Sequence, residues 1–197
     1  RNSVMRGKTL AIRIGVSGAM GSFSEEAARV YVKKSRIKRF ELRYLISVEN
    51  VLSALENRKI DIGIFPIQNS IGGIVTEAVR PMSKHVFRIR KIFDIDIKQN
   101  LLVTKYTKRE DIRTIVSHDQ ALKQCRRYLK RKWAGVKLKT YEDTAKAAED
   151  LASGKFSKST AVIASRTAAE VYKLKILEAD IQDIKTNLTT FIVAVKS

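Results

Sequence analysis

The chain has 197 residues, of which 44% are hydrophobic and 30% charged, a composition typical of a globular protein with a substantial core. Its 39 lysines and arginines outnumber its 20 aspartates and glutamates, which gives a formal net charge of +19. No apolar run reaches the roughly 18 residues of a membrane helix, and the basic residues 1–8 precede no segment of signal-peptide type. The single cysteine, Cys125, excludes an internal disulfide, so we expect a reducing, cytoplasmic location.

The excess positive charge is concentrated in residues 29–43, 84–91 and 123–139. One interpretation is a polyanionic partner or an anionic substrate. The other is a solvated, lysine-rich surface without a partner. No zinc-finger spacing, ribonucleoprotein aromatic signature or heptad repeat accompanies the charge. We therefore do not expect a nucleic-acid partner, although a positive cleft would attract a small dianion.

Apolar periodicity predicts alternating strands and helices in the first half of the chain. Strands are predicted at residues 10–16, 41–46 and 60–66. The third strand is expected to end at Pro66, because proline cannot donate to a sheet ladder. Ser24 is predicted to cap the first helix, which has acidic residues in its first turn. Further helices are predicted at residues 48–57 and from the Gly72-Gly73 pair to about residue 82.

The second half begins with a long strand or strand pair at residues 87–104. Further strands are predicted at residues 112–116, 137–141, 160–164 and 191–195. Helices are predicted at residues 119–132, 144–152 and 166–172. Asp119 is expected to cap the first of these helices, and Cys125 is expected to lie on its inner face in the core.

Strands that alternate with helices predict an α/β fold with largely parallel pairing. Two α/β lobes with a central cleft fit the length, and the chain is expected to cross between them near residues 87–104 and 178–186. The predicted first lobe comprises residues 9–84 and 180–197, and the second comprises residues 85–179.

Three short polar stretches follow or precede apolar runs and are candidates for one shared ligand site. They are GIFPIQNS at residues 63–70, SHDQALKQC at 117–125 and NLTTF at 187–191. Taken singly, each also has an ordinary structural interpretation as a turn, a helix cap or a strand. Their polar groups are mainly hydroxyls, amides and one imidazole, and the two histidines and one cysteine of the chain lack metal-ligand spacing.

Six segments, taken in order, resemble the catalytic domain of the prephenate dehydratase family, from about residue 12 to residue 195. They are GAMGSFSEEAA at 18–28, GIFPIQNSIGGIV at 63–75, SHDQALKQC at 117–125, DTAKAA at 143–148, AVIAS and AAEVYKLKIL at 161–165 and 168–177, and residues 181–191. The resemblance implies two lobes arranged as in type II periplasmic binding proteins. It also implies a carbon–oxygen lyase that converts prephenate to phenylpyruvate in phenylalanine biosynthesis, with no cofactor and no metal.

By the same resemblance, Thr189 is the catalytic residue and donates a hydrogen bond or proton to the departing hydroxyl group. Free threonine is a very poor acid, so it would act through a preorganised hydrogen bond or a relay. The residues expected to bind substrate are Ser22, Asn69, Ser70, Ser117, His118, Gln120, Thr144, Ser165, Asn187, Thr190 and Phe191. The resemblance further implies a homodimer with prephenate as its substrate and no membrane partner.

Two positions depart from the family pattern, since Gln68 stands in place of a glutamate and Thr190 in place of an arginine. Either a neutral contact has replaced an ion pair, or a carboxylate-binding arginine has been lost, which would alter affinity or reaction outcome. The alternatives are therefore a prephenate decarboxylase and a ligand-binding module without catalysis. The family's phenylalanine-binding ACT domain has no counterpart in the 197 residues. A shortened chain, an enzyme without that control and a separate regulatory partner each account for this.

Overall fold

A computed structural model describes residues 10–197, so the basic residues 1–8 and the predicted lobe start at residue 9 lie outside the described residues. Two β-sheets flanked by helices confirm the predicted α/β fold, but the strand pairing among the described residues is mixed rather than largely parallel. The strands are β1 (Ile12–Val16), β2 (Phe40–Tyr44), β3 (Ile62–Asn69), β4 (Gly73–Ile74), β5 (Phe87–Asp96), β6 (Asn100–Val103), β7 (Thr114–His118), β8 (Lys137–Tyr141), β9 (Thr160–Ala164), β10 (Lys175–Glu178) and β11 (Leu188–Lys196).

Helices cover both faces of each sheet, which buries the apolar side chains of the strands. They are α1 (Phe23–Lys34), α2 (Val48–Glu56), α3 (Thr76–Lys84), α4 (Asp119–Gln124), α5 (Arg126–Lys132), α6 (Thr144–Ala152) and α7 (Arg166–Val171), with a 3-10 helix at Arg109–Asp111. Cys125, between α4 and α5, is fully buried as predicted, and burial raises the pKa of its thiol to about 12. Within residues 10–197, no helix has the length and hydropathy to cross a membrane.

The first sheet has the strand order β2-β1-β3-β11-β5, with β4 paired to β3. β1 is parallel to β2 and β3, whereas β11 is antiparallel to β3 and β5. The predicted lobe boundary at residue 85 is therefore corrected, because β5 belongs to the first sheet. β5 pairs with β11 along its whole length, from Phe87 opposite Lys196 to Asp96 opposite Leu188, before the chain leaves this lobe.

The second sheet has the order β10-β6-β9-β7-β8. It repeats the plan of the first sheet: a central strand, β7, lies between two parallel neighbours, and an antiparallel strand, β6, follows on one side. This shared plan is the type II arrangement of periplasmic binding proteins. In each sheet this antiparallel strand directly follows a crossing between the lobes.

The two crossings, at residues 97–99 and 179–187, are bonded to each other. The Ile97 N–H donates to the Asn187 carbonyl at 2.7 Å, and the Ile181 N–H donates to the Gln99 carbonyl at 2.9 Å. These bonds align the polar side chains of the two crossings beside the cleft between the lobes.

Two helices begin at residues other than the predicted caps. Ser22, not Ser24, caps α1, because its Oγ accepts a backbone N–H of the first turn at 3.3 Å. His118, not Asp119, caps α4, because its Nδ1 accepts the Gln120 N–H at 3.3 Å. In both cases the capping residue has extended backbone, whereas the predicted cap is already helical.

Other boundaries differ where local geometry overrides the sequence pattern. The predicted helix at residues 119–132 is interrupted at Cys125. β3 continues past Pro66 to Asn69, because a β-bulge at Ile67, directly after Pro66, shifts the register with β11 and the ladder resumes at Gln68. β4 and β10 were not predicted, since such short strands carry little periodicity.

The loop before α1 contacts the second lobe directly. Ser165 Oγ donates to the Gly21 carbonyl at 2.7 Å, and the Tyr172 hydroxyl donates to the Met20 carbonyl at 3.0 Å. Gly21 has a φ of +83°, and a Cβ there would lie 3.2 Å from the Cα of Ala168. Glycine is therefore required for this approach, which positions the start of α1 at the cleft.

His85 joins α2 to the start of β5 through two glutamates. Its Nε2 lies 2.8 Å from Glu49 Oε1, and its Nδ1 lies 2.8 Å from Glu56 Oε2. These hydrogen bonds raise the pKa of His85 above its usual 6.5. The same contacts lower the pKa values of both glutamates below 4.5, and the Val86 N–H also lowers that of Glu56.

His85 should make stability depend on pH. A raised imidazole pKa stabilises the fold fully below about pH 6.5 and loses that effect as pH rises through the folded-state pKa. The lowered glutamate pKa values stabilise it above about pH 4.5 and lose that effect on acidification. We expect His85→Gln to reduce the melting temperature most between these values and least near pH 9. Parallel melting-temperature profiles for wild type and variant would contradict this assignment.

Candidate active site

A pocket of about 370 Å³ lies between the two lobes, within the range of roughly 300–1,000 Å³ that small-molecule sites occupy. Its walls are the starts of α1, α4 and α6, the end of β3, the start of β11 and both crossings. The lining residues are Ser22, Phe23, Ser24, Pro66, Asn69, Val75, Ile97, Gln99, His118, Gln120, Ala121, Gln124, Glu142, Asp143, Thr144, Asn187, Thr189 and Phe191.

The pocket brings together two thirds of the residues that the sequence analysis proposed for the site. They are Ser22, Asn69, His118, Gln120, Thr144, Asn187, Thr189 and Phe191. All three polar stretches contribute to this group, as does the start of α1. Phe191 is 1% exposed and stacks on Phe93 with ring centroids 6.1 Å apart, so it joins the pocket to the core of the first lobe.

Two of the proposed residues, Ser117 and Ser165, are buried and do not line the pocket. Both are 0% exposed. Ser117 Oγ donates to the Ile163 carbonyl at 2.6 Å and so ties β7 to β9. Ser165 caps α7 and donates to Gly21 across the lobes. Their hydroxyl hydrogens are therefore already engaged within the protein.

Ser70 and Thr190 also lie outside the lining. Ser70 Oγ accepts the Leu188 N–H at 2.9 Å, and this bond joins the loop after β3 to the start of β11. Thr190 Oγ1 donates to Asp94 Oδ1 at 2.5 Å on β5. Because successive strand residues face opposite sides of a sheet, Thr190 points away from the face that Thr189 presents to the pocket.

The side chain of Asn69 is fixed by hydrogen bonds at both ends. The backbone N–H groups of Ile71 and Gly72 donate to its Oδ1 at 2.9 and 2.7 Å. Its Nδ2 can therefore only be the donor group, and it reaches Thr189 Oγ1 and Asn187 Oδ1, each at 2.8 Å. β3 and β11 place these residues side by side, since Asn69 is opposite Thr189 in the ladder.

This bond determines the direction of the Thr189 hydroxyl. Because Thr189 Oγ1 accepts a hydrogen from Asn69, its own hydrogen is left to donate elsewhere. Thr189 is 7% exposed and lines the pocket, so the donor lies where water is largely excluded. A hydrogen bond from such a group to a bound ligand is stronger than one in bulk water.

Asn187 is held in the same network and keeps a donor without a partner. Its N–H donates to Asp96 Oδ1 at 2.9 Å, and its Oδ1 accepts from Asn69. The bonds from Lys98 and from Asn187 hold the pKa of Asp96 below its usual 3.8, which keeps this anchor charged. Asn187 is 1% exposed, and its Nδ2 has no hydrogen-bond partner among residues 10–197.

His118 presents a second donor from the opposite lobe. With Nδ1 accepting the Gln120 N–H at 3.3 Å, the proton of the neutral ring is on Nε2. The starts of α1 and α6 also face the pocket, and the positive ends of helix dipoles favour negative ligand groups. The site therefore offers oriented donors to an oxygen-rich ligand.

The charged side chains in the pocket lining are acidic, in contrast to the positive ends of the helices. The lining, taken from the part of the chain that the structure describes, contains Glu142 and Asp143 but no lysine or arginine. Sequence reasoning missed these carboxylates and two glutamines, Gln99 and Gln124. The signal for Gln124 is its position one turn after Gln120 on the same helix face. Within residues 10–197, no group of three or more histidine, cysteine, aspartate or glutamate side chains is placed to bind a metal.

The sequence model of the Prephenate dehydratase family matches residues 14–197. The chain belongs to this family. A prephenate dehydratase of Methanocaldococcus jannaschii is 36% identical over 174 residues, covering 87% of this chain and 60% of that protein. An arogenate dehydratase/prephenate dehydratase of Arabidopsis thaliana is 32% identical, covering 92% of this chain and 42% of that protein.

The fold of a prephenate dehydratase from Arthrobacter aurescens, solved in complex with L-Phe, matches that of this chain with a TM-score of 0.83 at 22% identity. That match covers 94% of this chain and 60% of the solved chain. The chain thus spans about half the length of the relatives that it matches.

The two departures from the family pattern lie directly opposite each other. Thr190 pairs with Gln68 across the β3–β11 ladder and with Asp94 across the β11–β5 ladder. A glutamate and an arginine at these positions would be cross-strand neighbours, which supports the interpretation that a neutral pair has replaced an ion pair. Both positions face away from Thr189, so a change there leaves the pocket lining unchanged.

Asn69→Ala should destabilise the protein, because it leaves Asn187 Oδ1 and two backbone N–H groups without their partner. The expected loss is about 1–3 kcal/mol in free energy of unfolding, measured by urea denaturation. Asn50→Ala is the control, since Asn50 donates a single exposed bond to the Leu45 carbonyl and should cost about 1 kcal/mol or less. Equal losses for the two variants would contradict the network.

Proposed function

We propose that this chain catalyses the decarboxylating dehydration of prephenate to phenylpyruvate, the activity of a carbon–oxygen lyase in aromatic amino-acid biosynthesis. The observation that carries the proposal is the oriented hydroxyl of Thr189, which accepts from Asn69 and keeps its hydrogen for a ligand. Family membership over residues 14–197 supports the choice of substrate.

The reaction needs a hydrogen-bond donor at the hydroxyl oxygen that leaves the ring. As the ring carboxylate leaves as CO2, the electrons of its carbon–carbon bond enter the ring, and the carbon–oxygen bond of the hydroxyl group on the opposite ring carbon breaks. The departing oxygen takes up one proton and leaves as water, and aromatisation drives the change. A hydrogen bond from Thr189 to this oxygen strengthens as negative charge develops on it, which is the condition for lowering the barrier.

Threonine is too weak an acid to protonate hydroxide by itself at neutral pH. The proton would therefore come from solvent, with Thr189 as the positioned donor through which it reaches the oxygen. Asn187 Nδ2 and the His118 Nε2–H are further donors on the pocket wall, and we assign them to substrate oxygens. Holding the substrate in one orientation is itself a large part of such catalysis.

Arogenate is a second candidate substrate, because the plant relatives carry its name. It has an ammonium group where prephenate has a ketone, and the carboxylates of Glu142 and Asp143 line the pocket. Opposite charges at such a position favour the ammonium compound. The cytoplasmic location and the homodimer stay predictions from the family resemblance.

Parallel assays with the two substrates test the role of Glu142. If arogenate is turned over, Glu142→Gln should lower kcat/KM for arogenate by about three- to fivefold, the scale of a partly exposed ion pair, and leave that for prephenate unchanged. An equal change in kcat/KM for both substrates would show that Glu142 does not bind the ammonium group.

Thr189→Val and Thr190→Val are a matched pair, since adjacent threonines lose the same hydroxyl on opposite faces of β11. Thr189→Val should reduce phenylpyruvate formation by about a hundredfold or more, the contribution of one positioned proton donor. Thr190→Val loses the bond to Asp94 and should keep kcat within about threefold. Phenylpyruvate is followed by its absorbance in alkali, and circular dichroism checks that both variants fold.

Similar kcat values for the two variants would remove Thr189 from the mechanism. The same assay separates the alternatives: a decarboxylase releases CO2 from prephenate while its product retains the hydroxyl, and a ligand-binding module binds prephenate without any product.

A further inference from the structure

A second cavity, of about 290 Å³, adjoins the pocket that contains Thr189. We call it the basic groove. Its lining residues are Ile71, Gln120, Lys123, Gln124, Arg126, Arg127, Gln182, Asp183, Ile184 and Asn187. Three of these, Gln120, Gln124 and Asn187, also line the pocket, so the two cavities lie side by side with one row of amide side chains in common.

Two arginines of the basic groove have no carboxylate partner. Lys123 is paired with Asp119 at 2.6 Å, but neither Arg126 nor Arg127 forms an ion pair within residues 10–197. The carboxylate of Asp183 is already engaged, because it accepts the backbone N–H groups of Arg127 and Tyr128 at 2.7 and 3.0 Å. Both guanidinium groups are therefore available to an anion.

Buried amide donors point to the same kind of ligand. Asn187 Nδ2 and Gln182 Nε2 have no hydrogen-bond partner among residues 10–197, and both side chains belong to residues that are 1% exposed. The Asn187 amide cannot be reversed without losing its bond from Asn69, so its free group is a donor. Buried donors without partners are costly, and an acceptor oxygen on a ligand would satisfy them.

The walls of the basic groove come from both lobes. Ile71 follows β3 and its N–H donates to Asn69 Oδ1, while Ile184 belongs to the second crossing. Their side chains are 44% and 56% exposed, which is unusual for isoleucine. The lining of the groove thus combines exposed apolar side chains with two guanidinium groups.

We propose that the basic groove is the subsite for one carboxylate of a dicarboxylate substrate, with Arg126 and Arg127 as its binding residues and Asn187 between the two cavities. The inference rests on the proposed function. Prephenate and arogenate each carry two carboxylates, whereas the Thr189 pocket has oriented donors but, among residues 10–197, no lysine or arginine in its lining. A substrate bound with its departing hydroxyl at Thr189 can extend its side-chain carboxylate, the one that does not leave as CO2, past the amide row to the arginines. Guanidinium groups suit this role because their paired donors match the two oxygens of a carboxylate.

The experiment compares two double variants of the full chain with the same loss of charge. Arg126→Gln/Arg127→Gln removes both guanidinium groups of the groove. Lys130→Gln/Lys132→Gln removes two exposed lysines of the same helix that line neither cavity. Steady-state assays with prephenate give kcat and KM, and calorimetric titration with prephenate gives Kd for each protein.

We expect the arginine variant to raise KM and Kd by about ten- to a hundredfold, the scale of lost charge-assisted hydrogen bonds. Its kcat should fall by less than about threefold, because the arginines do not contact the departing hydroxyl. The lysine variant should change KM by less than about twofold. Arg126→Lys/Arg127→Lys should recover part of the affinity, since it restores charge without the paired donors.

The outcomes separate this inference from the proposed function. Turnover by wild type with equal KM values in both glutamine variants overturns the subsite and leaves the function standing. Binding of prephenate that depends on the arginines, without turnover in wild type, supports the subsite and overturns the function. Absence of both binding and turnover in wild type overturns both.

Discussion

The candidate site depends on the direction of one amide. Two backbone N–H groups from the loop after β3 fix the carbonyl oxygen of Asn69, so its Nδ2 donates to Thr189 and to Asn187. Reversal of this amide would place Oδ1 against Thr189, and the hydroxyl would donate to the protein instead of to a ligand. The proposed chemistry requires the first arrangement, in which the site holds a free hydroxyl hydrogen before substrate arrives.

The topology of the first lobe makes that amide possible. Asn69 ends β3 and Thr189 begins β11, and the antiparallel ladder places them opposite each other although they are far apart in sequence. The β-bulge between Thr190 and Phe191 shifts the register so that Pro66, Asn69, Thr189 and Phe191 all line the pocket. Gln68 and Thr190 meet on the other face. A one-residue slip of β11 would exchange the two faces and turn Thr189 away from the pocket.

Sequence patterns predicted the two α/β lobes and most elements, because apolar periodicity reports which face of a strand or helix is buried. They failed where a single contact decides the outcome. β5 was assigned to the wrong lobe because its pairing with β11 joins distant parts of the sequence. The predicted caps Ser24 and Asp119 were wrong because the side chains of Ser22 and His118 accept the backbone N–H groups at the starts of α1 and α4. For the site, the family resemblance named Thr189 and Asn69, which line the pocket, and their roles stay predictions. It also named Ser117 and Ser165, whose hydroxyls bond within the protein and which do not line the pocket.

The positive charge behind the formal net charge of +19 is distributed unevenly around the two cavities. Among residues 10–197, no lysine or arginine lines the pocket, where oriented neutral donors and two carboxylates predominate, whereas basic residues line the adjoining groove. Under the proposed function, such a separation would place the reacting end of the substrate among hydrogen-bond donors and its charged end among cations. Further basic residues are exposed on strands as well as on helices, among them Arg88, Arg90 and Lys91 of β5 and Lys137 and Lys139 of β8.

Neutron diffraction from a deuterated crystal would test the central claim most directly, because it locates the deuterium atoms on Asn69 and Thr189. The account predicts deuterium on Asn69 Nδ2 directed at Thr189 Oγ1 and Asn187 Oδ1, with the Thr189 deuterium directed into the pocket. A Thr189 deuterium directed at the Asn69 side chain, with the amide reversed, would contradict it.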